Sequence, residues 1–524
     1  MTERPQTFTG GYNPWVVAMT VTLATFMEVL DTSIANVSLP HMAGNLSVSQ
    51  DEATWVLTSY LVSNAIVLPV SGWFATRFGR KRFYMTCVAL FTTSSFLCGV
   101  APNLGALVFF RVLQGVGGGG LAPTEQAILA DTFAPAKRGM AFAVYGMAVV
   151  LAPAIGPTLG GFITDHFSWR WVFFINIPVG ITSLLLSSRI LQDPPWLKEA
   201  RRRSGRIDFA GLGLIALGLG ALEVVLDRGQ ESDWFNDSAI TAFALIAAVS
   251  LVAFVFWEWH QQNPVVDVRL FRSRSFATSN FLMLVLGISL YGSTVLLPQY
   301  TQTWLGYSAQ QAGEALSPGG LTIILLLPLV GRLIGRIDAR WLIAFGFAVL
   351  ALSLFHMAHT LHPGIDFRTA TMLRVYQSIG MAFLFVPINT AAYQGIPPSR
   401  NNAVSGIMNL SRNMGGDIGI ALLTTMLARR SQFHQARLVE SLGRGNQALR
   451  AWLDAVAGGL ARAGNSSFDA AEKAYGAFGH ELARQAQTLA YIDVLYVLGW
   501  FAALMVPLVL LTRRAAPGGT AMGH

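Results

Sequence analysis

Apolar residues dominate the chain in long blocks that are separated by short polar connections. Each block runs for about 20 residues with few charges, the length that an α-helix needs to cross a bilayer. We count fourteen such blocks and expect an all-α integral membrane protein with fourteen transmembrane helices. The predicted spans are 15–37, 54–75, 83–101, 105–130, 139–162, 170–190, 208–227, 238–258, 276–300, 310–334, 340–360, 367–393, 403–428 and 489–512.

The connections alternate in charge from one side of the predicted membrane to the other. One set is basic, as in 80–82 and 201–203, whereas the other contains the acidic turn 227–237. Short basic loops stay on the cytoplasmic side of a membrane. The pattern therefore predicts that both termini, 1–14 and 513–524, are cytoplasmic. The polar N-terminal stretch is unlike a cleavable signal peptide.

An internal repeat divides the chain into two similar parts. Three pairs of positions recur at shifts of 259, 263 and 260 residues, namely Gly72 with Gly331, Arg111 with Arg374, and Gly146 with Gly406. Two repeated halves around a cavity form the architecture of many secondary transporters. We therefore expect six-helix halves at 15–190 and 276–512, separated by a linker with two inserted helices at 191–275.

The segment 429–488 departs from the loop pattern, because it is long and rich in Arg, Ala and Gln. The helix count places it on the outer side, and long loops cross a membrane largely regardless of their charge. Its helical periodicity predicts short amphipathic helices in an extended periplasmic loop.

Composition and charge exclude several other classes of protein. The 524 residues are 53% hydrophobic and only 12% charged, with a mean hydropathy of +0.49, so the chain has too little charge for a soluble protein. Most of the net charge of +8 lies in short loops, so we interpret it as topology information and expect no nucleic-acid partner. The sequence contains no phosphate-binding Gly-x4-Gly-Lys-Ser/Thr motif and no metal-ligand spacing. We therefore expect neither an enzyme nor a bound cofactor.

Three charged residues inside the predicted spans are the main candidates for function. Glu28 and Asp31 lie one turn apart on the first helix, and Arg111 lies on the fourth. Asp31 and Arg111 are each about 9 Å below the outer ends of their helices, so they can form a pair. Intramembrane charges are costly and usually mark an ion path or face a partner. We predict that all three residues couple transport to protons, with Glu28 free near the midplane. A purely structural Asp31–Arg111 pair is the open alternative.

A tight glycine-containing turn is the first candidate for a moving part. It contains Gly72, Arg77, Gly79 and Arg80, and it joins the second and third predicted spans. A plain basic loop would have a similar composition. The repeat of this pattern from Gly331 onwards favours a gate.

A run of proline and glycine in the fifth span is the second candidate. Its key positions are Pro153, Gly156, Pro157 and Gly160. Proline removes a helix hydrogen bond, and glycines four residues apart allow close helix contact. We predict a hinge or a seal between helices, with ordinary small-residue packing as the alternative.

A substrate cavity is expected between the first and fourth helices. The residues predicted to line it are Phe26, Met27, Gln114, Glu125 and Met147. The apolar members could equally belong to the helix core. Glu223 and Glu314 lie near the ends of predicted spans and are expected to be solvated.

Six stretches of the sequence together resemble a known family. They are Leu30–Pro40, Gly72–Arg82, Arg111–Gly117, Gly146–Gly161, Ser168–Pro178 and Leu226–Trp234. Over nearly its whole length the chain resembles the major facilitator superfamily, and within it the 14-helix drug:proton antiporters of the EmrB/QacA type. The last two stretches are similar to EmrB-like members in particular. The family's loop motif usually carries an acid where this chain has Thr76.

The resemblance implies both a fold and a function. The fold is the major facilitator fold with two inserted central helices, and the function is export of hydrophobic or amphipathic drugs by alternating access, driven by the proton gradient. EmrB-like members reside in the bacterial inner membrane, so the resemblance also implies a periplasmic membrane-fusion adaptor and an outer-membrane channel as partners of the loop 429–488. A dedicated exporter of one metabolite or siderophore, a proton-coupled importer, and a non-transporting receptor or scaffold remain alternatives.

Overall fold

A computed structural model describes residues 8–197, 208–334, 336–442 and 446–510. All regular secondary structure in these residues is helical. The basic stretch 198–206, the first residues of the N-terminal segment and the predicted cytoplasmic tail lie outside the described residues.

Fourteen long helices account for most of the described chain, and each overlaps one predicted span. They are α1 (Pro14–Leu46), α2 (Trp55–Phe78), α3 (Arg80–Gly99), α4 (Leu104–Thr132), α5 (Pro135–His166), α6 (Trp171–Ile190), α7 (Phe209–Arg228), α8 (Ser238–His260), α9 (Arg274–Trp304), α10 (Ala309–Leu333), α11 (Ala339–Thr360), α12 (Phe367–Ala392), α13 (Asn401–Ser441) and α14 (Ser467–Leu510). The helix α4 has a break after Gly118, and α6 has a break at Ile175.

By length and composition, fewer of these helices qualify as membrane crossings. Within the described ranges, eleven helices are long and apolar enough to cross a membrane, and α5 makes twelve if its two bent pieces form one span. The helices α3 and α13 are long enough but not apolar enough to be included. The helix α3 begins with the basic run 80–82, and α13 carries many polar side chains. Fourteen crossings therefore stay a prediction.

Short polar residues set the helix boundaries. Asn13 caps α1 by accepting a hydrogen bond from Trp15 N at 2.9 Å, and Pro14 occupies the first helical position. Asn103 caps α4 in the same way. Gly79 separates α2 from α3 with a φ of +95°, a conformation that a residue with a Cβ rarely adopts. The predicted tight turn is thus a single glycine.

The two halves meet through related pairs of helices, α2 with α13 and α5 with α10. A Cβ on Gly72 would lie 2.8 Å from the backbone of Asn402, and a Cβ on Gly331 would lie 3.0 Å from the backbone of Met140. The sequence repeat therefore corresponds to a repeated contact in space. At both places only glycine allows the helices to approach this closely.

The inserted helices α7 and α8 pack against each other, and α7 also packs against α2. Near the outer end of α7, Arg228 donates to Thr54 Oγ1 at 2.7 Å and stacks over Trp55. Glu223 was expected to be solvated, but it is only 3% exposed and lies in electrostatic range of Asp417 on α13. That prediction is wrong, because the neighbouring helices bury the side chain.

The segment 429–488, which is predicted to be periplasmic, differs from the predicted series of short helices. The helix α13 continues to Ser441 and α14 begins at Ser467, so both helices extend well past the predicted spans. The additional 22 residues of α14 before its predicted span add about 33 Å of helix. Between them lies one amphipathic helix, Gln447–Arg462, which packs against α14. We call it the loop helix.

Candidate functional site

Asp31 and Arg111 form the predicted pair. Arg111 Nη1 donates to Asp31 Oδ2 at 2.6 Å, and both side chains are buried. The other carboxylate oxygen, Oδ1, accepts hydrogen bonds from Gln114 Nε2 at 3.0 Å and from Asn176 Nδ2 at 2.6 Å. Charge-assisted bonds of this kind are among the strongest in proteins. Asp31 is therefore held in place by donors from two helices, α4 and α6.

Arg111 makes further contacts through Nε, Nη1 and the face of its guanidinium, whereas its Nη2 has no hydrogen-bond partner among the described residues. Its Nε donates to the carbonyl of Val56 at 3.0 Å, and Nη1 also donates to Gln114 Oε1 at 2.9 Å. The guanidinium lies 4.3 Å from the ring centroid of Tyr60, within cation–π range. The cluster thus joins α1, α2, α4 and α6 around one buried charge pair.

Glu28 lies one turn away on α1 in a different environment. Its Oε1 accepts a hydrogen bond from Asn64 Nδ2 at 3.0 Å and a longer one from Tyr60 OH at 3.4 Å. Its Oε2 is buried and has no hydrogen-bond partner among the residues described. Gly118 makes the space for this contact, because a Cβ there would lie 2.6 Å from the Tyr60 hydroxyl. The two acids therefore have different partners. Asp31 binds Arg111, as depth counting predicted, whereas Glu28 binds Asn64 and Tyr60.

The predicted cavity residues are distributed over several environments. Gln114 belongs to the Asp31 cluster, and Met27 packs in the hydrophobic core. Phe26 and Met147 are half-buried. Glu125 is fully buried, and Thr22 donates to its Oε1 at 2.5 Å while its Oε2 has no partner in the described part of the chain. Their role in substrate binding stays a prediction.

The second half repeats part of the cluster without its acids. Arg374 Nη1 donates to Gln377 Oε1 at 2.6 Å, which matches the bond between Arg111 and Gln114. The helix α9, which corresponds to α1, contains no Asp or Glu. The buried carboxylates of this region are thus concentrated in the first half.

A polar network joins the halves near the middle of the molecule. Asn409 of α13 donates to Gln126 Oε1 at 3.0 Å, and Arg412 of α13 donates to the hydroxyl of Tyr145 at 3.2 Å. These residues were not predicted as a group, since the sequence does not show which helix faces meet.

The predicted cytoplasmic ends of the helices carry a second charge cluster. Arg80 Nη1 donates to Asp131 Oδ2 at 2.5 Å, and Asn401 Nδ2 donates to Asp131 Oδ1 at 2.6 Å. Asp131 therefore connects the predicted gate turn to α13 of the other half. Arg77 of the same turn is half-buried. The sequence reasoning missed both Asp131 and Asn401.

The glycine run of α5 packs directly against α1. A Cβ on Gly156 would lie 2.2 Å from Ser33 Oγ, and a Cβ on Gly160 would lie 3.0 Å from Ile34. The axis of α5 bends by 42° between Pro135–Pro153 and Thr158–His166. The side chain of Pro157 is outside the described part. Close packing and a bend are both present here, while the hinge function stays a prediction.

Two repeated helical halves, glycine contacts between them and a buried charge cluster in one half define a multi-pass membrane transporter. The sequence model described as "Major Facilitator Superfamily" matches residues 21–420. The chain belongs to this superfamily.

Known proteins resemble the chain over most of its length. It is 40% identical to the "Multidrug export protein EmrB" of Escherichia coli strain K12 over 82% of this chain and 83% of that protein. It is 38% identical to the "Fatty acid resistance protein FarB" of Neisseria gonorrhoeae over 81% and 83%. The solved structure of the proton:xylose symporter XylE covers 95% of this chain and 97% of its own, with a TM-score of 0.59 and 14% identity, a likeness that shows the fold alone.

Proposed function

We propose that the protein exports hydrophobic or amphipathic compounds from the cell in exchange for protons. The names of its relatives EmrB and FarB support this class of substrate. Export would proceed by alternating access, with the two halves opening to one side of the membrane at a time. Inward proton movement supplies about 2.3 kcal/mol per charge for each 100 mV of membrane potential.

The environment of Glu28 is the observation that carries the proton coupling. Asp31 is already bound by three donors, so protonating it would break charge-assisted bonds. Glu28 has a buried oxygen with no partner among the described residues, and burial favours the neutral form of a carboxyl group. Glu28 can therefore bind and release a proton at a lower cost than its neighbour. We assign the proton to Glu28 and the positioning of its surroundings to Asp31 and Arg111.

Substrate-induced proton release tests this assignment. Purified protein in weakly buffered detergent is mixed with tetraphenylphosphonium, a hydrophobic cation, and a pH indicator records released protons. Wild type should release protons, and Glu28→Gln should release none because the amide cannot titrate. Glu125→Gln is the matched control, since Glu125 is also a buried carboxyl with one unpartnered oxygen in the described structure.

Three results would count against the proposal in different ways. Release from Glu28→Gln at the wild-type level would remove Glu28 from the coupling role. Loss of release in Glu125→Gln alone would move the proton to Glu125. If cells that produce the wild type show no uncoupler-sensitive efflux of any hydrophobic dye, multidrug export itself is wrong.

We further propose that the outer ends of α13 and α14, with the loop helix, bind a periplasmic adaptor. This segment exposes large aromatic side chains, including Phe468 at 76% and Tyr475 at 64% exposure. Exposed apolar groups far from the bilayer favour a protein partner. Phe468→Ser with Tyr475→Ser should abolish resistance in cells but preserve transport in vesicles, whereas Glu231→Gln, at an exposed acid outside this segment, should change neither. Equal resistance in all strains would refute the docking site.

A further inference from the structure

An open cavity of about 1030 Å³ lies at the inner ends of α9, α11, α12 and α14. Three arginines stand around it, Arg272, Arg274 and Arg340. Apolar side chains form much of the remaining wall, including Phe281 of α9 and Leu508 of α14, which are 44% and 40% exposed. The cavity thus combines a basic rim with an apolar wall. Its volume is in the upper range of small-molecule sites.

The internal repeat provides a direct comparison in the first half. Arg340 corresponds to Lys81, and Gln394 corresponds to Asp131, at the same shifts of 259 and 263 residues that relate the two halves. The pocket around Lys81 and Asp131 has a volume of only about 20 Å³. The polypeptide itself fills it, because Phe8 N donates to the carbonyl of Asp131 at 3.1 Å and the Phe8 ring packs edge-on against Trp196.

Charge also distinguishes the two sites. In the first half, Asp131 binds Arg80, and Asp193 accepts from the backbone N of Lys81 at 2.8 Å. In the second half, neutral side chains take both places of this ion pair, because Ala339 corresponds to Arg80 and Gln394 corresponds to Asp131 at the same shifts. The second site therefore has no ion pair at these positions, and it has a larger empty volume.

The donors on the basic rim are partly uncommitted. Arg340 binds Asp338 at 3.0 Å, and Arg272 stacks over Trp259 at 4.7 Å. The guanidinium of Arg274 takes part in no hydrogen bond or ion pair among the residues that the structure describes. Guanidinium groups with free donors bind phosphate oxygens well.

We infer that this cavity binds an anionic phospholipid of the inner leaflet. Its phosphate would bind Arg272 and Arg274, and an acyl chain would lie against Phe281 and Leu508. Basic pockets between helices on the cytoplasmic side are suited to acidic head groups. Residues 511–524, which come after α14 in the sequence, contain two arginines and no Asp or Glu, so like charge opposes them as occupants of the cavity.

Native mass spectrometry of the purified full-length protein tests the inference. The probes are palmitoyl-oleoyl phosphatidylglycerol, the zwitterionic palmitoyl-oleoyl phosphatidylcholine, and inorganic phosphate. We expect one phosphatidylglycerol to stay bound where phosphatidylcholine does not, and millimolar phosphate to leave it in place. Arg272→Gln with Arg274→Gln should weaken binding at least about tenfold, since each basic residue near an anionic surface contributes on the order of 1 kcal/mol.

A matched control and a second variant separate binding from folding. Arg82→Gln with Arg189→Gln removes the same charge from exposed positions at the inner side of the first half and should keep the lipid. Ala391→Phe narrows the cavity without changing its charge and should also lose the lipid. Equal binding of both lipids, unchanged binding in either cavity variant, or displacement by inorganic phosphate would overturn the inference. Failure of the wild type to retain phosphatidylglycerol would overturn it too, and would point to another occupant such as residues 511–524.

Discussion

Replacement of Asp31 by Asn tests whether the buried pair stabilises the first half. The substitution keeps the side-chain shape but removes the charge that faces Arg111, and neither group is exposed by more than 1%. Removing one partner of a buried ion pair costs about 3–5 kcal/mol, because the other charge is left uncompensated. Arg111 would retain the carbonyl of Val56 and the ring of Tyr60. We therefore expect the free energy of unfolding to fall by about 3 kcal/mol, near the lower limit of this range.

The two native cysteines provide the assay. Cys87 and Cys98 are buried free thiols, so a thiol-reactive fluorophore reports unfolding on heating. Adding Arg111→Gln to Asp31→Asn removes the uncompensated charge and should recover part of the stability. The interaction energy from this double-mutant cycle should reach about 2 kcal/mol. Asp165→Asn is the control. The side chain of Asp165 is 65% exposed, so this substitution should leave the free energy of unfolding unchanged.

Three outcomes separate the interpretations of this pair. A loss below about 1 kcal/mol in Asp31→Asn would refute the electrostatic reasoning, since a buried charge would then be tolerated without its partner. A double variant no more stable than the single one would refute it as well. If the double variant is stable and still releases protons on substrate binding, the pair is a structural clamp and has no part in coupling.

Two further predictions concern the close contacts. Gly156→Ala should destabilise the protein by about 1–3 kcal/mol in the same thermal assay, because its Cβ would lie 2.2 Å from a hydroxyl on α1. Gly161→Ala on the same helix should be neutral, since nothing lies within 4 Å of a Cβ there, and equal effects would contradict the packing argument. Asp131→Asn should loosen the inner contact between the halves, and hydrogen exchange should quicken at the start of α13. Unchanged exchange there would show that Asp131 does not hold the gate.

Depth along a helix was enough to predict part of the site. Equal depth placed Asp31 beside Arg111, because α1 ends and α4 begins at the same predicted membrane face and each helix rises by a fixed distance per residue. The partners Asn176 and Asn64 could not be found in this way, since their contacts depend on the rotation of α6 and α2 about their own axes. A single polar residue in an apolar span is the only signal that the sequence carries for them.

Hydropathy described the apolar part of each helix and little beyond it. It could not show that α13 and α14 continue outwards, because a helix in water needs no apolar block. It also misassigned Glu223, whose burial comes from a neighbouring helix and not from its own. The repeated glycines were more informative, since each one marks a place where two backbones touch.

The helix α2 connects the acid site to the interface between the halves. Its residues Tyr60 and Asn64 bind Glu28, and two turns further on Gly72 packs against the backbone of α13. About 12 Å of α2, with Pro69 inside it, separates Asn64 from Gly72, and we expect a shift at the acid to be transmitted along this helix to the contact. The second half contributes no acid from α9 and supplies the surface of α13 against which α2 packs. Hydrogen exchange at the inner end of α2 should then differ between the wild type and Glu28→Gln. Identical exchange in the wild type and in Glu28→Gln would refute this role of α2. The helices α1 and α5 would then remain as the connection between Glu28 and the second half.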